Sequence, residues 1–140
     1  MLAQAVAVCL SFAAHNSHLS PQIIMTILTV EGGREGSKSH NTNGTDDFGP
    51  GQINTVWLDA VAKASGHSVD EAAHMLQWDG CFNIRTTAAI LRYQIDAANG
   101  DFWAGVGNYH SREPTEHMIY LRKVVETAQR LFGPEIITKK

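Results

Sequence analysis

The stretch that most constrains the fold runs from Pro21 to Asn54, P-Q-I-I-M-T-I-L-T-V-E-G-G-R-E-G-S-K-S-H-N-T-N-G-T-D-D-F-G-P-G-Q-I-N. An apolar run ends on a single carboxylate, Glu31, and two glycines follow at once. Ile23, Ile24, Ile27, Leu28 and Val30 recur at helical spacing, which predicts a buried helix. Ser20 supplies an N-cap and Pro21 suits the first helical position. Gly32 and Gly33 supply the stop. Glu31 is thereby placed at the C-terminal end of a core helix. There the helix dipole disfavours negative charge, and apolar neighbours would desolvate it. Both effects raise a carboxyl pKa, and a protonated acid on a rigid element is what general-acid catalysis requires. The competing reading is a solvated Glu at a frayed helix end.

The remaining chain reads as helices separated by turns. Residues 2–15 carry Leu2, Ala5, Val6, Cys9, Leu10, Phe12 and Ala13 on one face. Residues 34–50 are polar and form a long loop or a short, poorly paired β-ribbon. A helix is expected from Gln52 to Ala64, stopped by Gly66, and another after Ser68 and Glu71, which match a capping box. Asp79 and Gly80 make a turn before a long helix from Cys81 to Ala98. A shorter helix runs from Asp101 towards Tyr109, and a last one carries Met118, Leu121, Val124, Val125, Ala128 and Leu131. No repeat, low-complexity segment or domain boundary interrupts the pattern. The expectation is one mainly α domain spanning 1–140, or α+β with a very small sheet.

Composition narrows the function classes. The 140 residues suit one core, and the net charge of -3 comes without a basic block that would point to nucleic acid. No apolar stretch is long enough to span a bilayer. Residues 1–14 are apolar-rich but lack a basic start and an A-x-A-like end, so they do not read as an intact signal peptide. The two cysteines, Cys9 and Cys81, are too far apart for metal-ligand spacing. The histidines His15, His18, His40, His67, His74 and His117 show no paired ligand spacing and read as surface or loop residues. No metal and no cofactor is expected. Trp57, Trp78 and Trp103 fit helical core positions better than a sugar-stacking platform.

V-E-G-G, then N-T-N-G-T-D-D-F-G-P-G-Q-I-N, then G-N-Y-H-S, taken in order, resemble the lytic transglycosylase family. The small branch attached to type III and type IV secretion and pilus systems is the most similar. The resemblance runs from about Cys9 to Val125. It implies a goose-lysozyme-like α+β fold, peptidoglycan as substrate, and secretion or pilus components as partners. It implies a Cys9–Cys81 disulfide, and with it an oxidising, extracytoplasmic compartment; two free buried cysteines are the alternative. It also implies chemistry by one carboxyl group, in which Glu31 protonates the glycosidic oxygen and then takes a proton from the muramoyl C6 hydroxyl, giving a 1,6-anhydro product. Rival expectations are a lysozyme-like hydrolase using Asp46 or Asp47 as base, and a degenerate glycan-binding or assembly module.

The same resemblance assigns the other candidate residues. Tyr109, in G-N-Y-H, would hydrogen-bond Glu31 or the sugar, against the alternative of a core tyrosine. Gln52 and Asn54 belong to the G-P-G-Q-I-N element and would bind substrate. Asp47, preferred over Asp46, would stabilise positive charge on the sugar or help set the Glu31 pKa; a turn role is the alternative. His110 replaces the family's Asn. Glu116, four residues before Tyr120, would line the cleft or lie on a solvated face. Gly32 and Gly51 depart from the family's Ser and Met, and Gly51 implies an apolar wall that is missing or supplied elsewhere. Glu35 lies in a polar setting and reads as solvated.

Overall fold

The computed structural model describes residues 3–138. Leu2, assigned above to the opening helix, lies outside them. The elements in order are α1 (Ala3–Ser17), α2 (Pro21–Glu31), β1 (Lys38–His40), β2 (Asp46–Phe48), β3 (Ile53–Asn54), α3 (Leu58–Ser65), α4 (Val69–Trp78), α5 (Gly80–Ala97), α6 (Phe102–His110) and α7 (Pro114–Phe132). Short 3-10 turns occupy Thr55–Trp57 and Pro134–Thr138. The class is mainly α with one small antiparallel sheet in the order β1-β2-β3.

Local chemistry explains the boundaries. The Ser20 hydroxyl accepts the Ile23 N–H at 3.2 Å, Pro21 opens α2, and Gly32 closes it in the left-handed region at φ +70. Ser68 and Glu71 cap α4 reciprocally, as their spacing predicts. Asp79 does more than turn the chain: its carboxylate accepts the Phe82 N–H at 3.0 Å and starts α5. Glu35 is not merely solvated either. Its Oε2 accepts the Gly80 N–H at 2.7 Å, adding a second carboxylate to the same helix start.

The polar segment resolves into the ribbon. β1 and β2 pair with Lys38 opposite Phe48 and His40 opposite Asp46, and β2 then pairs with β3, Asp47 opposite Asn54. The expected helix from Gln52 begins only at Leu58. Gln52 itself is held at φ +49, and Ile53 and Asn54 are drawn into the sheet. Asn54 then caps the 3-10 turn by accepting the Val56 N–H at 3.0 Å.

Two apolar cores meet at α5. One gathers α1, α2, α5, α6 and α7 around Ile24, Ile27, Ile84, Leu91, Val106 and Val124. The other gathers β2, β3, α3, α4 and α5 around Phe48, Ile53, Leu76 and Phe82. Ile24 and Ile27 are wholly buried, and each contributes roughly 2 kcal/mol by leaving water. These contacts fix α2, and therefore Glu31, rigidly. Cys9 and Cys81 form a disulfide that ties α1 to α5, with Cα atoms 5.4 Å apart. Closing a loop of that length is worth about 4 kcal/mol in the chain-entropy account. Among the described residues, no helix is long and apolar enough to cross a membrane.

One buried amide joins the sheet to the helices. Asn83, fully buried on α5, accepts the Gly51 N–H at 2.8 Å and donates to the carbonyls of Phe48 and Leu76, both at 2.8 Å. Asn83→Ala leaves three buried backbone groups without partners. Chemical denaturation should show a loss of about 3 kcal/mol. A loss below about 1 kcal/mol would mean that Asn83 does not hold the sheet.

Candidate active site

A cavity of about 540 Å³ opens where the sheet faces the helices, within the usual range for a small-ligand site. Glu31 enters it from the end of α2. Asn41, Asp47, Ile53 and Asn54 line the sheet side, and Ile90 and Gln94 of α5 and Asn108, Tyr109 and His110 of α6 line the opposite wall. Gln52 and Trp57 lie on its rim, and Arg112 follows α6.

Glu31 is half-buried as a residue, and its carboxyl group is largely withdrawn from water. Desolvation is the largest influence on it, and the charge of Asp47 acts in the same sense. The Tyr120 hydroxyl opposes both by donating to Oε2 at 2.8 Å, and Lys123 opposes them weakly. The balance lifts the carboxyl from its ordinary 4.5 to about 7. Burial thus wins over hydrogen bonding, and Glu31 exchanges its proton close to neutral pH. The alternative of a frayed, solvated Glu is excluded by this geometry.

The tyrosine that holds Glu31 is Tyr120, not Tyr109. Tyr120 is buried on α7, where α7 packs across α2. Tyr109 points its hydroxyl at the Gly51 carbonyl, 2.8 Å away, and its ring touches both cores. Burial first and the nearby Glu31 second push the Tyr109 hydroxyl far above its ordinary range, so it remains a neutral donor. Tyr109 therefore lies beside the acid and locks the G-P-G-Q turn rather than bonding the carboxyl.

That turn also explains Gly51. A Cβ there would overlap the Thr87 hydroxyl, so α5 itself occupies the space that a side chain would take. Gly51 leaves no missing wall. Gly33 is equally constrained, because a Cβ would overlap the Gly49 carbonyl. The chain after Glu31 thus presses directly on the turn that carries Gln52. Gln52 donates from Nε2 to the Gly49 carbonyl at 3.0 Å, which fixes its side chain at the rim.

Of the two aspartates, Asp47 faces the cavity. Its Oδ1 accepts from Asn54 Nδ2 at 2.9 Å and its Oδ2 from Asn41 Nδ2 at 3.1 Å. Both oxygens are engaged by neutral donors, which orients the group. Asp46 turns away and pairs with His40 at 2.8 Å. Asn54 also donates to the Thr45 hydroxyl at 3.0 Å, so its amide organises the ribbon as well as the cavity.

Other candidates are placed differently from expectation. Glu116 is exposed and does not line the cavity; it lies 3.8 Å from His110 Nε2. His110 does line it, with its ring stacked on Tyr120 at 4.8 Å and 14°. His117 is no surface residue: it packs against Gly107, and its Nδ1 lies 3.0 Å from the Ser111 carbonyl. None of the three tryptophans is fully buried. Trp78 is largely exposed beside Gly36, Trp103 is half-buried, and Trp57 lies at the cavity rim. Sequence reasoning missed Tyr120 as the partner of Glu31, and missed Asn41 and Asn83. An Asn between Phe82 and Ile84, on the side of the long helix that carries its apolar residues, was the available signal for the last. Neither protein-family models nor curated proteins give a match to the chain.

The raised carboxyl carries a stability signature. Below about pH 4.5 Glu31 is neutral in folded and unfolded chains, and burial is harmless. As pH rises the unfolded chain ionises first, so the folded state loses stability until about pH 7. Glu31→Gln removes this penalty. Denaturation at pH 8 should find the variant more stable than the wild type by up to about 3 kcal/mol, and at pH 4 nearly equal. Equal stability at both pH values would mean an ordinary, solvated carboxylate.

Proposed function

We propose that the protein is a peptidoglycan lytic transglycosylase, cleaving the β-1,4 bond between N-acetylmuramic acid and N-acetylglucosamine. The observation that carries this reading is one protonated carboxyl in a saccharide-sized cavity whose other carboxylate is already committed. Glycosidases of the two-carboxylate type need a second group free to attack the sugar or activate water. Asp47, held on both oxygens by Asn41 and Asn54, is poorly disposed to do either. A substrate hydroxyl acting as the nucleophile removes the requirement.

The reaction then needs only Glu31 to move protons. Glu31 gives its proton to the glycosidic oxygen as the bond from that oxygen to muramoyl C1 breaks. The Tyr120 hydroxyl supports the carboxylate so formed, and Asp47 offsets positive charge on the ring. The C6 hydroxyl attacks C1, closing the 1,6-anhydro ring, and its proton returns to Glu31. No water is consumed and the carboxyl ends as it began. A group exchanging its proton near pH 7 is suited to both halves of this cycle.

The motif resemblance supports the family and its secretion-associated branch, and the disulfide suits an oxidising, extracytoplasmic site. In that setting the enzyme would open the wall locally for an envelope-spanning machine. Mass spectrometry of fragments released from purified sacculi tests the reaction. Anhydro-muropeptides are expected; reducing ends would indicate a hydrolase, and binding without release a non-catalytic glycan module. Glu31→Gln should abolish release while remaining folded.

Tyr120 and Tyr109 should separate in kinetics. Tyr120→Phe removes the hydrogen bond to the carboxylate and should lower kcat roughly tenfold to a hundredfold. It should also move the alkaline limb of the kcat profile to higher pH, because Glu31 must start protonated and the lost bond held its pKa down. Tyr109→Phe removes the hydroxyl's bonds to the Gly51 carbonyl and to Thr87 and should act mainly through the position of the turn, without moving that limb. A shifted limb in Tyr109→Phe and an unshifted one in Tyr120→Phe would reverse the assignment.

A further inference from the structure

Gln94 lies among the apolar residues Leu91 and Ile95 of α5, is only 6% exposed, and lines the same cavity as Glu31. Its side-chain carbonyl accepts from Arg112 Nη2 at 3.0 Å. Its Nε2 makes no hydrogen bond within the described residues. Among the described residues no fully buried side-chain polar atom lacks a partner, so this nitrogen is open to the cavity that Gln94 lines. A largely buried amide with an unused donor is a poor arrangement for stability alone.

Arg112 is equally uncommitted. No carboxylate lies within ion-pair distance of it among the described residues. The adjacent acid, Glu113, is engaged in capping α7, accepting the N–H groups of Thr115 at 3.1 Å and Glu116 at 2.8 Å. Glu116 in turn faces His110. The charges that act on Glu31 are Asp47 and Lys123, which leaves Arg112 to a different task in the same cavity. Gln94 fixes one arm of the guanidinium and leaves the other donors free.

The result is a cavity lined by unlike groups: carboxyl groups at Glu31 and Asp47, and a pair with unused donors at Arg112 and Gln94. A planar guanidinium beside a primary amide matches a carboxylate, which accepts on both oxygens. We propose that Arg112 and Gln94 form a subsite for a carboxylate on the side branch of the glycan, separate from the groups that perform cleavage. This inference rests on the peptidoglycan reading above. There the carboxylate comes either from the free lactyl group of the muramoyl unit or from an acidic residue of a peptide attached to it. The subsite makes the enzyme select charged, branched strands over plain amino-sugar polymers.

Three probes test it by NMR titration of 15N-labelled Glu31→Gln, which holds ligand without turnover: a disaccharide with a free lactyl carboxylate, one bearing an alanyl-glutamate branch, and the latter with its carboxyls amidated. At least one acid form should bind about tenfold more tightly than the amidated one and shift the Gln94 side-chain amide. The acid form that does so identifies the source. Adding Arg112→Gln should reduce the preference to less than about twofold. Gln94→Glu, nearly isosteric and able to pair with Arg112, should do the same in a protein whose fold is retained. Equal binding of acid and amidated probes, an unmoved Gln94 amide, or a preference that survives both substitutions would overturn the subsite. If the unsubstituted chain releases nothing from sacculi yet these preferences hold, the subsite stands and the enzymatic reading alone falls.

Discussion

Everything near the cavity depends on keeping one carboxyl out of water while leaving it a hydrogen-bond partner. The two demands oppose each other: burial drives the Glu31 proton on, and a donor from Tyr120 draws it off. Neither alone gives a group that exchanges protons near neutrality. The fold meets both by ending α2 abruptly. Gly32 adopts a conformation that a larger residue would reach only with strain, and Gly33 lets the chain press on the Gly49 carbonyl. The carboxyl therefore stops at the cavity wall under α7, where Tyr120 waits.

The sheet is too small to hold itself. Its strands are two or three residues long, and it survives because α5 grips it from below. Asn83 supplies the grip through three hydrogen bonds, Thr87 fills the space beside Gly51, and Tyr109 closes the turn from the other side. Asp47 is thus an oriented charge on a supported strand. Through this arrangement α5 links the two cores to the chemistry: it carries the disulfide at one end and Gln94 at the cavity.

The sequence made much of this legible, for identifiable reasons. Ser20, Pro21 and Gly32 act at short range, so the bounds of α2 and the place of Glu31 follow from neighbours in the chain. The same holds for the capping box of Ser68 and Glu71. What escaped depends on contacts between distant residues. Tyr120 and Glu31 are brought together only by the crossing of α7 over α2, which no local pattern encodes. Gln52 and Ile53 look helical by periodicity, yet pairing with Asp47 and Phe48 draws the segment into the sheet. Gly51 reads as a lost side chain until the Thr87 hydroxyl is found in its place. Glu116 had helical spacing to Tyr120 in its favour, but it is exposed beside His110, while Tyr120 turns inward to Glu31.

The central claim is that this fold keeps Glu31 protonated up to neutral pH. A 13C NMR titration that follows the Glu31 side-chain carboxyl, assigned by its disappearance in Glu31→Gln, measures this directly. The account predicts a midpoint at about pH 7. A midpoint at the ordinary glutamate value of about 4.5 would contradict it.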